Sequence, residues 1–268
     1  MSQARSTDRH GASCVRLAVA NQKGGVAKTT TVVNLGAALA EAGARVLVVD
    51  LDAQSCLTFA LGVDPETVEV TMGEVIVDGA PVAEAVVGTG EGLDLLPGSI
   101  ELAAAEAALL AMPDGRCVLR ETLEPLAAAY DVLLLDCAPS LGMLTLGALA
   151  AADEVLVPLQ CEMLAHRGVG QLLDTVADVT RLLNPRLRVR GLLPTMYDGR
   201  SNHARAVLAD LPGRYRQPVL DPIPRSIRFA EAAALGRSVL RTARGARAAH
   251  AYRALAADLL ADWAGQQT

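Results

Sequence analysis

Residues Val15 to Asp52 read VRLAVANQKGGVAKTTTVVNLGAALAEAGARVLVVDLD, and this stretch decides the fold. Val15 to Ala20 is a short apolar run of the kind that forms a buried strand, and Asn21 to Ala27 is a glycine-rich loop. Lys28 to Ala42 then places Val32, Val33, Leu35 and Leu39 at helical spacing, with Gly43 as the stop. Arg45 to Val49 is a second apolar strand, closing on the acids Asp50 and Asp52. Strand, helix and strand of this kind make a βαβ unit, and strands apolar throughout belong to a parallel sheet covered on both faces.

The alternation continues outward. Strands are predicted at Leu93 to Leu96, Val132 to Leu135, Glu154 to Pro158 and Leu187 to Thr195. Helices are predicted at Ile100 to Met112, Cys117 to Ala129, Leu144 to Ala151, Leu164 to Leu183, Ala204 to Leu211 and, mostly, Val239 to Trp263. Residues 62 to 92, rich in Gly, Asp and Val, carry no clear period. The expectation is one α/β domain over 15–264, a doubly wound, mostly parallel sheet with helices on both faces, between a flexible tail at 1–14 and a short one at 265–268. Ligands of such sheets bind outside the carboxyl ends of the strands.

Composition agrees. In 268 residues, 51% are hydrophobic and only 3% aromatic, which favours alanine-rich helices packed closely on a sheet. No apolar run reaches the ~18 to 20 residues that cross a bilayer, and MSQARSTDRHGAS at the N-terminus lacks an apolar targeting core, so the expected location is the cytoplasm. Cys14, Cys56, Cys117, Cys137 and Cys161 are odd in number and scattered, which indicates neither a disulfide framework nor a metal cluster. The net charge of −6 conceals a polarity: residues 1–180 hold 9 Lys and Arg against 24 acids, whereas residues 181–253 hold 15 Arg against 4 acids. Of the 24 basic residues 22 are Arg, and both lysines, Lys23 and Lys28, lie in the glycine-rich loop. A compact, flexible ammonium is therefore wanted there.

A strand that delivers a glycine turn into a helix N-terminus is an anion site, because unsatisfied N–H groups and the helix dipole face the same point. In Lys23-Gly24-Gly25-Val26-Ala27-Lys28-Thr29-Thr30, the glycines admit close backbone approach. Lys28 can reach β and γ phosphates, and Thr29 can offer its hydroxyl to Mg²⁺. Gln22 and Ala27 stand where the simple GxxxxGK[ST] pattern has glycines. The methyl of Ala27 is harmless if that residue has negative φ and nothing packs on its Cα; otherwise it would weaken phosphate binding. Asp136, at the end of VLLLD, can hold Mg²⁺ through water, and Asp50 and Asp52 emerge at another strand end.

The form xKGGxxK[ST] resembles the deviant Walker A loop of the ParA/Soj and MinD family of P-loop ATPases. The likeness runs from about Val15 to Val239. It is dense over Asp136 to Val169, where Ala138 replaces a usual proline, and includes Thr195 to Ala204 and Asp221 to Ala232. The resemblance implies ATP and Mg²⁺ as ligands and slow basal hydrolysis. It also implies an ATP-dependent homodimer in which Lys23 crosses to the other subunit's nucleotide. Asp52 would position the attacking water and Asp50 would support the metal region. Glu162 would lie near the partner's ribose, Met196 and Pro224 would line the base pocket, and Arg200 and Arg228 would contact DNA non-specifically. A ParB/Spo0J-like partner, nucleoid association in the ATP state, and a role in chromosome or plasmid segregation follow from the same likeness. The rival expectations are a MinD-like membrane ATPase, a metabolic or metallocluster enzyme on the same fold, and an orphan positioning ATPase with another cargo. The C-terminal AYRALAADLLADWAGQQT sets Asp258 and Asp262 against Arg253, which argues against anionic lipid.

Overall fold

The computed structural model describes residues 14–266 apart from 163 and 164, and no side-chain detail at 165–167. Seven strands form one sheet: β1 (Val15–Val19), β2 (Val46–Leu51), β3 (Val87–Gly88), β4 (Asp94–Leu96), β5 (Val132–Cys137), β6 (Glu154–Gln160) and β7 (Arg188–Thr195). Their order across the sheet is β3-β4-β2-β5-β1-β6-β7. All neighbours are parallel except β3, which pairs antiparallel with β4 at the edge.

Side chains alternate along each strand and so feed two cores. Ala18, Leu47, Val49, Leu133 and Leu135 enter one. It is covered by α3 (Met72–Val77), α4 (Leu102–Ala111), α5 (Gly115–Leu123), α6 (Met143–Ala151) and α7 (Ala165–Leu182), with Leu211 of α8 (Asn202–Arg214). Leu17, Val19, Val46, Val48 and Leu134 enter the other. That face is closed by α1 (Lys28–Glu41), α2 (Cys56–Ala60), α10 (Val239–Thr242) and α11 (Arg247–Gln266). The doubly wound α/β architecture is as the alternation predicts.

Differences are local. The helix expected over Cys117 to Ala129 ends at Leu123 and tightens into a 3₁₀ turn, Glu124–Leu126, because Pro125 cannot donate into the helical ladder. The long C-terminal helix is broken between Thr242 and Arg247, where Ala243 leaves helical dihedrals. Two short helices, α2 and α9 (Arg228–Ala234), lie in stretches to which the sequence reading assigns no element, and α3 falls in the segment without a clear period. Thr71 and Glu74 form a reciprocal capping box at α3, a local signal that outweighs weak periodicity. The expected tails fall mostly outside the described residues; α11 runs to Gln266.

Candidate nucleotide site

Register fixes the floor of the site. Asp136 on β5 lies opposite Val19 on β1 and Asp50 on β2, so the carboxyl ends of three strands converge beneath the loop that leaves β1. Asn21 shapes the entry of that loop: its Nδ2 donates to Pro158 O (2.7 Å) and its Oδ1 accepts from Lys23 N (3.0 Å). Two side chains grip the far side, Gln160 Nε2 on Gly25 O (2.8 Å) and Thr195 Oγ1 on Val26 O (3.0 Å). Gly25 is left-handed at φ 72°, as only glycine does readily. Helix α1 opens without a capping side chain and with no acid in its first turn. Its first N–H groups are thus left for an anion.

Ala27, the residue before α1, has φ 66° and ψ 33°. The condition under which its methyl would be harmless is not met, since Cβ crowds the following carbonyl in this region. Ser55 and Met196 are the other non-glycine residues with positive φ among those described. Each adjoins the site, Ser55 by donating its N–H to Asp52 O (2.8 Å) and Met196 by its contact with Gln160. Strain of this kind persists where surrounding structure over-determines it.

The two lysines point differently. Lys28 is buried, and its Nζ turns back to Lys23 O (3.3 Å); burial lowers its pKa, against the pull of Asp136. Lys23 reaches outward, with Nζ 2.9 Å from Glu162 Oε2. Asp136 is fully buried, and neither of its oxygens has a partner at good hydrogen-bond geometry, although the Thr29 hydroxyl is near enough to favour its charged form. Burial drives its pKa well up and repulsion from Asp50 adds to this, while the Thr29 hydroxyl and the Lys28 ammonium act in opposition. A buried carboxylate left without partners is costly, and a hydrated cation would satisfy it. Among the described residues no cluster of three His, Cys, Asp or Glu could hold a metal alone. Thr29 and Asp136 therefore fit a magnesium ion that keeps its waters and takes further oxygens from a phosphate chain.

Asp50, expected to support the metal region, is hydrogen-bonded within the fold. Its Oδ2 accepts from Thr58 N (2.9 Å) and Thr58 Oγ1 (2.7 Å), and its Oδ1 accepts from Asp52 N (3.2 Å). Burial raises its pKa to about 6, with the bonds from Thr58 pulling the other way. Asp50 thus ties α2 to the turn that presents Asp52. The half-buried Asp52 in turn accepts from Gln54 N (3.0 Å). Thr58, Gln160 and Thr195 escape a motif search because they are single polar residues, the first in the middle of a short helix and the others at strand ends.

Met196 lines a cavity of about 320 Å³ with Ala27, Thr30, Ile223, Arg225, Phe229 and Tyr252, directly beside the loop. Pro224 is not in it. In the extended segment that pairs with Tyr197, Ile223 and Arg225 face this cavity, whereas Pro224 faces a groove against α11 with Arg190 and Arg247. Successive residues of an extended chain point to opposite sides. Met196 and Pro224, expected together at a base pocket, thus line different cavities. Arg200 and Arg228 are exposed; Arg228 Nη1 is held 2.8 Å from Glu231 Oε2.

Strand ends that converge under an uncapped helix, with a lysine inside the loop and an orphaned acid below it, define a phosphate-loop nucleotide-binding protein. A family profile described as "AAA domain" matches residues 15–189. The chain is 41% identical over 248 residues to the sporulation initiation inhibitor protein Soj of Bacillus subtilis, covering 92% of this chain and 98% of that one. It is 45% identical over 247 residues to the chromosome-partitioning ATPase Soj of Thermus thermophilus, covering 92% and 95%. A crystal structure from Mycobacterium smegmatis, named cobyrinic acid a,c-diamide synthase and holding an ATP analogue and magnesium, superposes with a TM-score of 0.84. Its identity is 50%, over 93% of this chain and 96% of that one. The chain belongs to the ParA/Soj family of partitioning ATPases.

Proposed function

We propose that this chain binds and hydrolyses ATP with Mg²⁺, dimerises in the ATP state, and in that state holds DNA without sequence preference until a ParB-like partner stimulates hydrolysis. The reading rests above all on Lys23, an exposed ammonium at the rim of the phosphate loop that its own loop does not use. Two bound triphosphates would concentrate negative charge at a subunit interface, and a Lys23 donated from each side would neutralise it. Thr29 and Asp136 would hold magnesium, the latter through water, and the ion would offset charge on the phosphates. Lys28 would reach the β and γ phosphates, and Gly24 to Thr30 would cradle them. Asp52 would orient the attacking water, with Asp50 fixing its turn. Met196 would face the base and Glu162 the partner's ribose. Arg200 and Arg228 would contact DNA phosphates. Chromosome or plasmid segregation is the process such a switch serves.

Light scattering with magnesium and a non-hydrolysable ATP analogue tests the core of this. A doubled mass supports it, and an unchanged monomer mass at saturating nucleotide overturns it. A membrane-surface role is disfavoured, since the apolar face of α11 (Leu255, Leu259, Trp263) is spent on the core. Among the described residues no helix is long and apolar enough to cross a membrane. The name of the mycobacterial structure favours a second reading, ATP-driven amidation of a corrinoid carboxylate. Steady ATP turnover in the absence of any corrinoid would count against it.

A further inference from the structure

Gln160 and Thr195, register partners at the ends of β6 and β7, hold the phosphate loop from outside. A trans peptide is planar, so the C=O of one residue and the N–H of the next point in opposite directions. Fixing the carbonyls of Gly25 and Val26 against Gln160 and Thr195 therefore turns the N–H groups of Val26 and Ala27 the other way, into the concave side of the loop. That is where an anion is received. Thr195 is buried, and its hydroxyl is divided between Val26 O (3.0 Å) and Leu159 O of β6 (3.1 Å), so it ties the loop to the sheet.

Gln160 has a second contact. The same Nε2 lies 3.3 Å from Met196 Sδ, and Met196, left-handed at φ 49°, walls the cavity beside the loop. The amide cannot be reversed, because Oε1 would then confront the carbonyl oxygen of Gly25, acceptor against acceptor. One NH₂ group thus spans the residue that faces the base and the peptide that orients the phosphate cradle.

We propose that Gln160 is a positioning residue that couples the two halves of the nucleotide site, so that a base seated against Met196 stiffens the loop and a phosphate in the loop fixes Met196. The inference rests on the nucleotide-binding reading above. Its signature is not affinity as such but the advantage a nucleoside gives over bare phosphate. A merely structural prop for the loop would weaken both ligands by one factor, whereas a coupler lowers the ratio between them.

Calorimetric titration with Mg-ADP and with Mg-pyrophosphate tests this, the diphosphates being chosen so that no second copy is recruited. Gln160→Ala should reduce the ADP-to-pyrophosphate affinity ratio by about fivefold or more, the lower end of ordinary coupling. Met196→Leu keeps the volume and removes the sulfur acceptor. It should lower the ratio while leaving pyrophosphate affinity unchanged, and the double variant should fall no further than Gln160→Ala. Equal weakening of both ligands in Gln160→Ala, or additive losses in the double variant, would overturn the proposal. Failure of the unaltered protein to bind either ligand would instead remove the nucleotide reading itself.

Discussion

Lys23 and Glu162, 139 residues apart in sequence, meet as an ion pair of 2.9 Å at the rim of the site. Glu162 is exposed and Lys23 partly so, and the pair at this rim contributes at most ~1 kcal/mol and is easily given up. Lys28, five residues on, is buried and bends back to the carbonyl of Lys23. The two ammonium groups of one loop thus serve different spaces, Lys28 its interior and Lys23 whatever approaches its rim.

That division predicts a separation of function. Lys28→Ala should abolish binding of ADP and ATP alike. Lys23→Ala should leave ADP affinity within about twofold, since only a screened surface contact is lost, yet prevent the ATP-dependent doubling of mass. Titration calorimetry and light scattering on the same preparations check both. If Lys23→Ala still dimerises, the outward ammonium has another use.

The left-handed Ala27 makes a stability prediction. A non-glycine residue in this conformation costs about 1–2 kcal/mol, and Ala27→Gly would recover that less the extra chain entropy of glycine, about 0.4–1 kcal/mol. The net should be stabilisation by about 0.5–1 kcal/mol, or roughly 2 °C in Tm for a chain of this size. Ala27→Val, with a β-branched side chain at positive φ, should lower Tm. Denaturant unfolding with an unchanged m value is the check.

The fold and much of the site were legible because both are written in strong local patterns. Apolar strands alternating with helical spacing announced the sheet, and Lys23, Lys28 and Asp136 announced themselves by scarcity or by position after VLLL. Three things were not legible. The φ of Ala27 was hinted at only by the glycine usual at its position, and an alanine there does not itself announce a left-handed backbone. The side of Pro224 depends on the phase of an extended segment whose bridges, at Val219 and Pro224, are isolated. Asp50 gave the same signal as Asp52, and only Thr58, eight residues away, shows that its oxygens are committed within the fold.

Asp50 and Asp136 predict a pH dependence of the nucleotide-free protein. Both have folded pKa values above the ordinary carboxylate value of ~3.9, Asp50 at about 6, because burial disfavours their charge. Between the unfolded and folded values the native state binds more protons than the unfolded one, so stability falls as pH rises through that window. The protein free of nucleotide and magnesium should therefore unfold at lower denaturant concentration at pH 7 than at pH 5. Asp136→Asn should flatten that slope and raise stability at pH 7, while removing the response of nucleotide affinity to magnesium. A slope of the opposite sign would show that these acids are stabilised, rather than opposed, by their surroundings.

Arg200 and Arg228 differ in readiness to meet a phosphate. Arg228 is already paired with Glu231 at 2.8 Å, whereas Arg200 shows no ion pair among the described residues. If both contact DNA in each protomer of an ATP-bound dimer, four phosphates are neutralised, and log K should fall with log[salt] at a slope of about −3.6. Removing either arginine deletes two of the four, so Arg200→Ala should halve the slope to about −1.8. Glu231→Ala, which touches no phosphate, should strengthen retention at low salt, because Arg228 no longer has to leave a partner before it binds. The dimer's mass should not change in either variant. Filter retention of double-stranded DNA at two or more salt concentrations, with ATP analogue and with ADP, reads all of these. Unchanged retention in both arginine variants would move the DNA face elsewhere on the arginine-rich 181–253 stretch, and equal retention with ADP would detach it from the nucleotide state.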